Sequence, residues 1–376
     1  MKRSSAPTTA AASSGETLGA TNLRRGRRFI GGVAVGERAS AHAKAYLRTS
    51  PVAIAGYRHV PVSTLPVLDH DAVLAAVSPT EAIERVREAL LRHHAGEWQM
   101  PAKVYLQSPP YGDFRAMPAL GDGLALLKWI TSFPGNPQRG LPTVTGVICL
   151  SDATCGEPLM LLDARSVTAL RTGAVAAVAT RALARPDART IGMIGCGLHG
   201  AWAARCLAAA GYGPGACFDP RSEAAQALAD ELGWQVGSRE QAAACEIVTC
   251  VTPGAEPVLD AADLRPGQHL NLLGADGPGK AEMTLAALAR CTLFCDELEQ
   301  AAHGGELAGA IEAGTVAREQ VCELGAVLAG EHPGRPAADA ITLFDSTGLA
   351  IQDLAVASAA LEAYRAGRLQ AQMITL

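Results

Sequence analysis

The segment T-I-G-M-I-G-C-G-L-H-G-A, Thr190 to Ala201, puts Gly195, Gly197 and Gly200 between an apolar run and a helix-forming one. Thr190 to Ile194 is short and β-branched enough for a buried parallel strand, and Ala201 to Ala210 is rich in good helix formers. The glycines therefore fall where a strand turns into a helix. There the first allows a tight reversal, the second lets the backbone approach a pyrophosphate, and the third permits close helix–strand packing. The helix N-terminus adds free N–H groups and partial positive charge. A further strand, Ala216 to Phe218, ends at Asp219, whose carboxylate suits a ribose and repels a 2′-phosphate. This favours NAD over NADP, with Arg221 as a nearby group able to hold phosphate.

The same alternation continues downstream. Glu246 to Val251, His269 to Leu273, Thr292 to Cys295 and Ile341 to Asp345 read as short strands, which predicts a doubly wound parallel sheet. Ligands bind beyond the carboxyl ends of such strands. The expected cofactor contacts are therefore Gly195, Cys196, Gly197, Leu198, His199, Gly200, Asp219, Arg221, Thr252, Leu273, Asp276 and Lys280, with Asp296 on the same side.

Upstream, Leu65 to Gly96 reads as amphipathic helix, with S-P-T-E at 78–81 supplying a serine cap, a proline at the first helical position and an acidic first turn. Strands follow at Lys103 to Gln107, Phe114 to Ala116, Ala125 to Thr131 and Thr143 to Leu150, and then a helix from Ser166 to Leu183. Ser346-Thr347-Gly348 is expected to cap a closing helix, Ile351 to Ala366, that returns to the first half. The fold class is α/β: a Rossmann NAD(P)-binding domain at 185–345, and an N-terminal α+β substrate and dimerisation domain at 61–184 completed by 346–376. Residues 1–60, with their low-complexity start and L-R-R-G-R-R run, are expected to be a disordered extension.

The net charge of −5 and the lack of basic, aromatic-interleaved patches argue against nucleic acid, and no apolar run is long enough to span a membrane. The ten cysteines lack CxxC pairs; they read as buried thiols in a reducing, cytoplasmic setting, with no metal site.

Four basic residues stand in otherwise apolar segments of the first half: Lys103, Arg115, Lys128 and Arg171. Such side chains are seldom buried unpaired. Lys128, inside L-L-K-W-I, is expected to face a cavity whose occupant is an anion. The complementary acid is Asp276, which follows an apolar strand and opens a glycine/proline turn. A carboxylate there could take a proton from a substrate ammonium and later activate water at an imine carbon. Asp276 and Lys128 are the catalytic candidates.

The segments M-P-A-K-V-Y, D-F-R-A-M-P-A, L-K-W-I-T-S-F-P-G-N-P-Q-R-G-L-P-T-V, R-T-G-A, I-G-C-G, G-A-D-G-P-G-K, L-E-Q-A-A-H-G-G-E and F-D-S-T-G-L-A-I-Q-D resemble the ornithine cyclodeaminase/μ-crystallin family. They look most like its archaeal-type alanine dehydrogenase branch, from about residue 65 onward. The resemblance implies a homodimer acting on a small amino-acid, 2-oxo-acid or imine substrate. It also implies that Lys103, Arg115, Lys128 and Arg171 hold the substrate carboxylate, that Asp276 faces the amino group, and that Thr172 and Ser346 lie near the cofactor. Lys103 stands where cyclodeaminases carry arginine. The expected activity is thus NAD-dependent reversible deamination of L-alanine. The alternatives are cyclodeamination, reduction of a cyclic ketimine or iminosuccinate, and a non-catalytic crystallin-like binding role.

Overall fold

The computed structural model describes residues 64–254 and 256–375, so the expectation for residues 1–60 falls outside it. Strands are numbered β1 Thr64–Leu68, β2 Val104–Ser108, β3 Gly112–Gly121, β4 Leu124–Ser132, β5 Val144–Asp152, β6 Pro158–Asp163, β7 Ile191–Ile194, β8 Gly215–Phe218, β9 Gln235–Val236, β10 Ile247–Cys250, β11 His269–Leu272, β12 Thr292–Cys295, β13 Val321–Glu323, β14 Thr342–Asp345 and β15 Gln372–Thr375.

They form two sheets. The first has the order β15-β1-β6-β5-β4-β3-β2 and is antiparallel apart from the parallel β1/β6 pair. The second, β13-β12-β14-β11-β10-β7-β8-β9, is parallel throughout. Its strand order reverses beside β7, between β8 and β10. The crevice beyond the ends of β7 and β10 is thus a topological switch point, where α/β sheets bind ligands.

The helix Ala164–Leu183 packs against both halves, and its apolar residues cover its whole circumference, as a helix buried on every side requires. A Cβ at Gly173 would stand 2.3 Å from the Trp202 carbonyl, so only glycine lets the helix Leu198–Ala209 cross this close. The closing helix Ala350–Arg365 packs on Pro79–His94, Ala164–Leu183, β3 and β4, returning to the first sheet.

Along β3 and β4 the side chains alternate. Arg115, Met117, Lys128 and Ile130 point inward, while Leu127 and Trp129 point outward. The outward face is apolar and open, with Val104, Leu106, Leu127, Trp129 and Val147 exposed and Phe114 stacked on Trp129.

Three expectations need correction. Leu65 to Leu68 is strand, because L-P-V-L is a short apolar run without helical period and β6 and β15 flank it. Neither β6 nor β15 was anticipated. The closing helix is not capped by Ser346; its N-cap is Leu349, whose N–H donates to Gln352 Oε1, and the Ser346 hydroxyl is used elsewhere. The Ser78 cap forms as expected, accepting from the Glu81 N–H, with Pro79 at the first helical position.

Candidate active site

The inward faces of β3 and β4, the helix Ala164–Leu183 and the ends of β7, β11 and β14 line a cavity. Nine of the residues singled out in the sequence line it: Lys103, Arg115, Lys128, Arg171, Thr172, His199, Leu273, Asp276 and Ser346. Met117, Ile130 and Val144 supply apolar wall, and the Thr172 hydroxyl is turned back onto the Thr168 carbonyl at 2.7 Å.

Each cation reaches the cavity already partnered. Lys103 donates to the Thr347 carbonyl at 2.6 Å. Arg115 forks onto Asp113 through Nε and Nη2, at 2.6 and 3.2 Å, and gives Nη1 to Asp276 at 2.7 Å. Lys128 lies 2.5 Å from Asp353 Oδ2, with both side chains fully shielded from solvent. Arg171 has Nε 3.4 Å from Asp353 Oδ1 and donates Nη1 to Gln352 at 3.3 Å. The anion expected opposite Lys128 is therefore part of the protein, supplied by the closing helix. No sequence signal marked Asp353 or Asp113, since each is an ordinary acid whose partner is set by tertiary contact.

Burial lowers Lys103 and Lys128 to about 8, against opposing attraction from Asp276 and Asp296 on the first and from Asp353 on the second. Asp276 sits on the loop after β11 between Arg115 and Lys280, whose Nζ is 2.5 Å from Oδ1. Burial pushes its carboxyl up, but the two cations outweigh this and hold it well below the usual carboxylate range. It is accordingly ionised, and its negative charge faces the cavity. His199, in the first turn of the helix Leu198–Ala209, is lowered to about 4 by burial and by Arg171, and so is neutral.

The glycine loop lies at the switch point. Gly195 has φ +96° and its N–H bonds the Phe218 carbonyl; a Cβ there would meet the Val251 carbonyl at 2.4 Å. A Cβ at Gly200 would stand 1.9 Å from the Gly195 carbonyl. Above Gly197 the nearest atom to such a Cβ is Arg221 Nη2, at 3.5 Å, which leaves open space for a phosphate beside the helix N-terminus. A dinucleotide fits these residues. Cys196 donates its N–H to Asp219 at 2.8 Å, and the first-turn Leu198 is exposed. Asp219 also accepts from Arg221 N, Nε and Nη2, so its carboxylate is tied to the arginine rather than standing free for a ribose.

Two expected cofactor contacts are otherwise engaged. Thr252 gives both N–H and hydroxyl to Glu282. Ser346 donates its hydroxyl to Asp296, which also takes the Thr347 hydroxyl and the Gly348 N–H. Glu282 was not foreseen as a partner.

Residues 67–368 match the model of the ornithine cyclodeaminase/mu-crystallin family. The alanine dehydrogenase of Archaeoglobus fulgidus is 40% identical over 303 residues, covering 79% of this chain and 94% of the relative. The iminosuccinate reductase of Paracoccus denitrificans is 35% identical over 237 residues, 61% of this chain and 74% of the relative. Among solved structures, an archaeal alanine dehydrogenase dimer with bound NAD superposes with a TM-score of 0.79 at 38% identity, covering 83% of this chain and 99% of that one.

Proposed function

Because the chain belongs to the ornithine cyclodeaminase/mu-crystallin family, we propose that it is an NAD-dependent oxidoreductase acting on the CH–NH2 group of a small amino acid, with reversible deamination of L-alanine to pyruvate and ammonia as its reaction. The observation that carries this reading is the placement of ionised Asp276 opposite Lys103, Arg115, Lys128 and Arg171 in one cavity, with Met117, Ile130 and Val144 as apolar wall. The cations suit a carboxylate, the aspartate suits an ammonium, and the wall suits a small apolar side chain.

The dinucleotide, when bound, supplies the hydride acceptor or donor. Gly195, Gly197 and the N-terminus of Leu198–Ala209 would hold its pyrophosphate, with Asp219 and Arg221 at the adenosine end. Arg115 and Arg171 then orient the substrate carboxylate and Lys103 neutralises it, while the charge of Lys128 is balanced by Asp353. Asp276 accepts a hydrogen bond from the amino group and steers the ammonium proton outward. In the hydrolytic half-reaction the same carboxylate orients the water that attacks the imine carbon. Its pairing with Arg115 and Lys280 keeps it charged for that role.

The reading includes a first domain, 61–184 with 346–376, that binds substrate and dimerises, and a second, 185–345, that binds NAD. Homodimerisation is supported by the open apolar face of Val104, Leu106, Leu127, Trp129 and Val147. A cytoplasmic setting is supported by ten cysteines that are all free thiols. Among the described residues no helix is long and apolar enough to cross a membrane. Iminosuccinate reduction stands as a second reading, supported by the 35% identity to the iminosuccinate reductase of Paracoccus denitrificans.

Steady-state assays of alanine with NAD, and of pyruvate and ammonia with NADH, test the proposal beside cyclic imines and iminosuccinate. Asp276→Asn should keep NADH binding while turnover falls roughly 10²- to 10⁴-fold. Unchanged turnover would refute the role of Asp276, and preference for iminosuccinate would install the second reading.

A further inference from the structure

Glu282 is fully buried and is not among the residues that line the cavity, yet its two oxygens bridge two loops. Oε1 accepts the Thr252 N–H at 2.6 Å and the Thr252 hydroxyl at 2.8 Å, at the end of β10. Oε2 accepts the Gly274 N–H at 2.7 Å, just beyond β11. Gly274 begins the loop that carries Asp276, and Glu282 ends it. The side chain thus closes its own loop and ties it to the neighbouring strand end.

We propose that Glu282 is a positioning residue, which holds the Asp276 loop at its working height over the cavity by tethering Gly274 to Thr252. The surroundings are built for that tether. Glu306, itself buried, takes the N–H groups of Glu282 and Met283, each at 2.7 Å. A Cβ at Gly274 would stand 2.1 Å from the Thr252 carbonyl and 2.6 Å from Glu282 Oε1, so only glycine lets the carboxylate seat. On the loop's far side Gly304 lies against Gly277 and Pro278, close enough that a Cβ would approach them at 3.2 to 3.3 Å. Burying a carboxylate is costly unless hydrogen bonds compensate, and three donors converge on this one.

The role rests on the dehydrogenase reading only in its kinetic consequence. A shift of about 1 Å in a reacting group can cost about a hundredfold in rate. Glu282→Gln preserves shape, but whichever loop its amide nitrogen faces, that nitrogen sets a donor against a backbone N–H donor. That variant of the full chain should lose about tenfold to a hundredfold in kcat with little change in KM. The groups facing Asp276 are Arg115 from β3, Lys103 and Tyr105 from the β2 segment, His199 from the glycine-loop helix, and Lys280 from its own loop. Released from Arg115 and Lys280, Asp276 should rise toward an ordinary carboxylate, and the acidic limb of kcat/KM should move to higher pH. A variant with wild-type kcat and an unmoved limb would overturn the proposal.

A second measurement needs neither turnover nor a variant. In wild-type protein, amide hydrogen exchange at Thr252 and Gly274 should proceed through one shared opening, because one carboxylate holds both. Independent opening of the two amides would overturn the tether. If the wild type turns over none of the substrates above, the dehydrogenase reading fails while this exchange experiment still decides the role of Glu282.

Discussion

Lys128 Nζ lies 2.5 Å from Asp353 Oδ2, joining the middle of β4 to the first turn of the closing helix by an ion pair that no water reaches. Removing one partner of such a pair strands the other charge in the interior. Asp353→Asn should therefore destabilise the fold by about 3–5 kcal/mol, read from urea unfolding. It should also lower Lys128 further from about 8, since burial would then act without the opposing carboxylate. The double change Lys128→Met with Asp353→Leu should recover part of the stability, since Arg171 still loses its carboxylate, and none of the activity. Recovery of both would remove Lys128 from the substrate site.

The Asp219–Arg221 contact sets the second expectation. Both oxygens of Asp219 are held by Arg221, while the arginine side chain is largely exposed above Gly197. Asp219→Ser should release the guanidinium to a 2′-phosphate. A hydrogen bond to a charged group contributes about 1.5–3 kcal/mol, so the ratio of NADPH to NADH affinity should rise roughly 10- to 100-fold. Titration of each nucleotide by quenching of protein fluorescence measures it, and an unchanged ratio would show that Arg221 does not govern the choice.

Glu306 offers a pH test of stability. Burial, opposed by the Glu282 N–H and reinforced by the Glu282 carboxylate, pushes it up to about 8. An unfolded glutamate titrates near about 4.3. Between those values the native chain holds a proton that the unfolded chain has lost, so this group's contribution is full below the unfolded value and drains away as pH rises to about 8. Glu306→Gln cannot titrate. Its stability relative to wild type should improve between about pH 5 and 8, by at most about 1.4 kcal/mol per pH unit. Parallel stability curves would place the titration elsewhere.

What could be read from the chain divides along physical lines. The glycine loop was legible because its constraint is local: Gly195 needs positive φ, and Gly200 must lie almost on the Gly195 carbonyl. The cations were legible because a charge inside an apolar segment is anomalous on its face. Their partners were not. Asp353 looks like any acid in a helical first turn, and Glu282 like a polar residue after a glycine-rich turn, until the strands bring them to Lys128 and Thr252. Ser346 was misread for the same reason, since its hydroxyl had a buried competitor in Asp296. L-P-V-L at 65–68 became a strand only because β6 and β15 were there to pair with it.

The pairing of β1 with β15 sets Thr64 opposite Thr375. During synthesis the parallel sheet, whose strands run from β7 to β14, can assemble as soon as its own segment clears the ribosome. The sheet begun earlier cannot: its edge strand β15 and the carboxylate for Lys128 both lie downstream of β14. The antiparallel sheet, begun before the parallel one, is therefore completed after it, and a chain truncated after β14 would present the glycine loop with an unfinished pocket beside it.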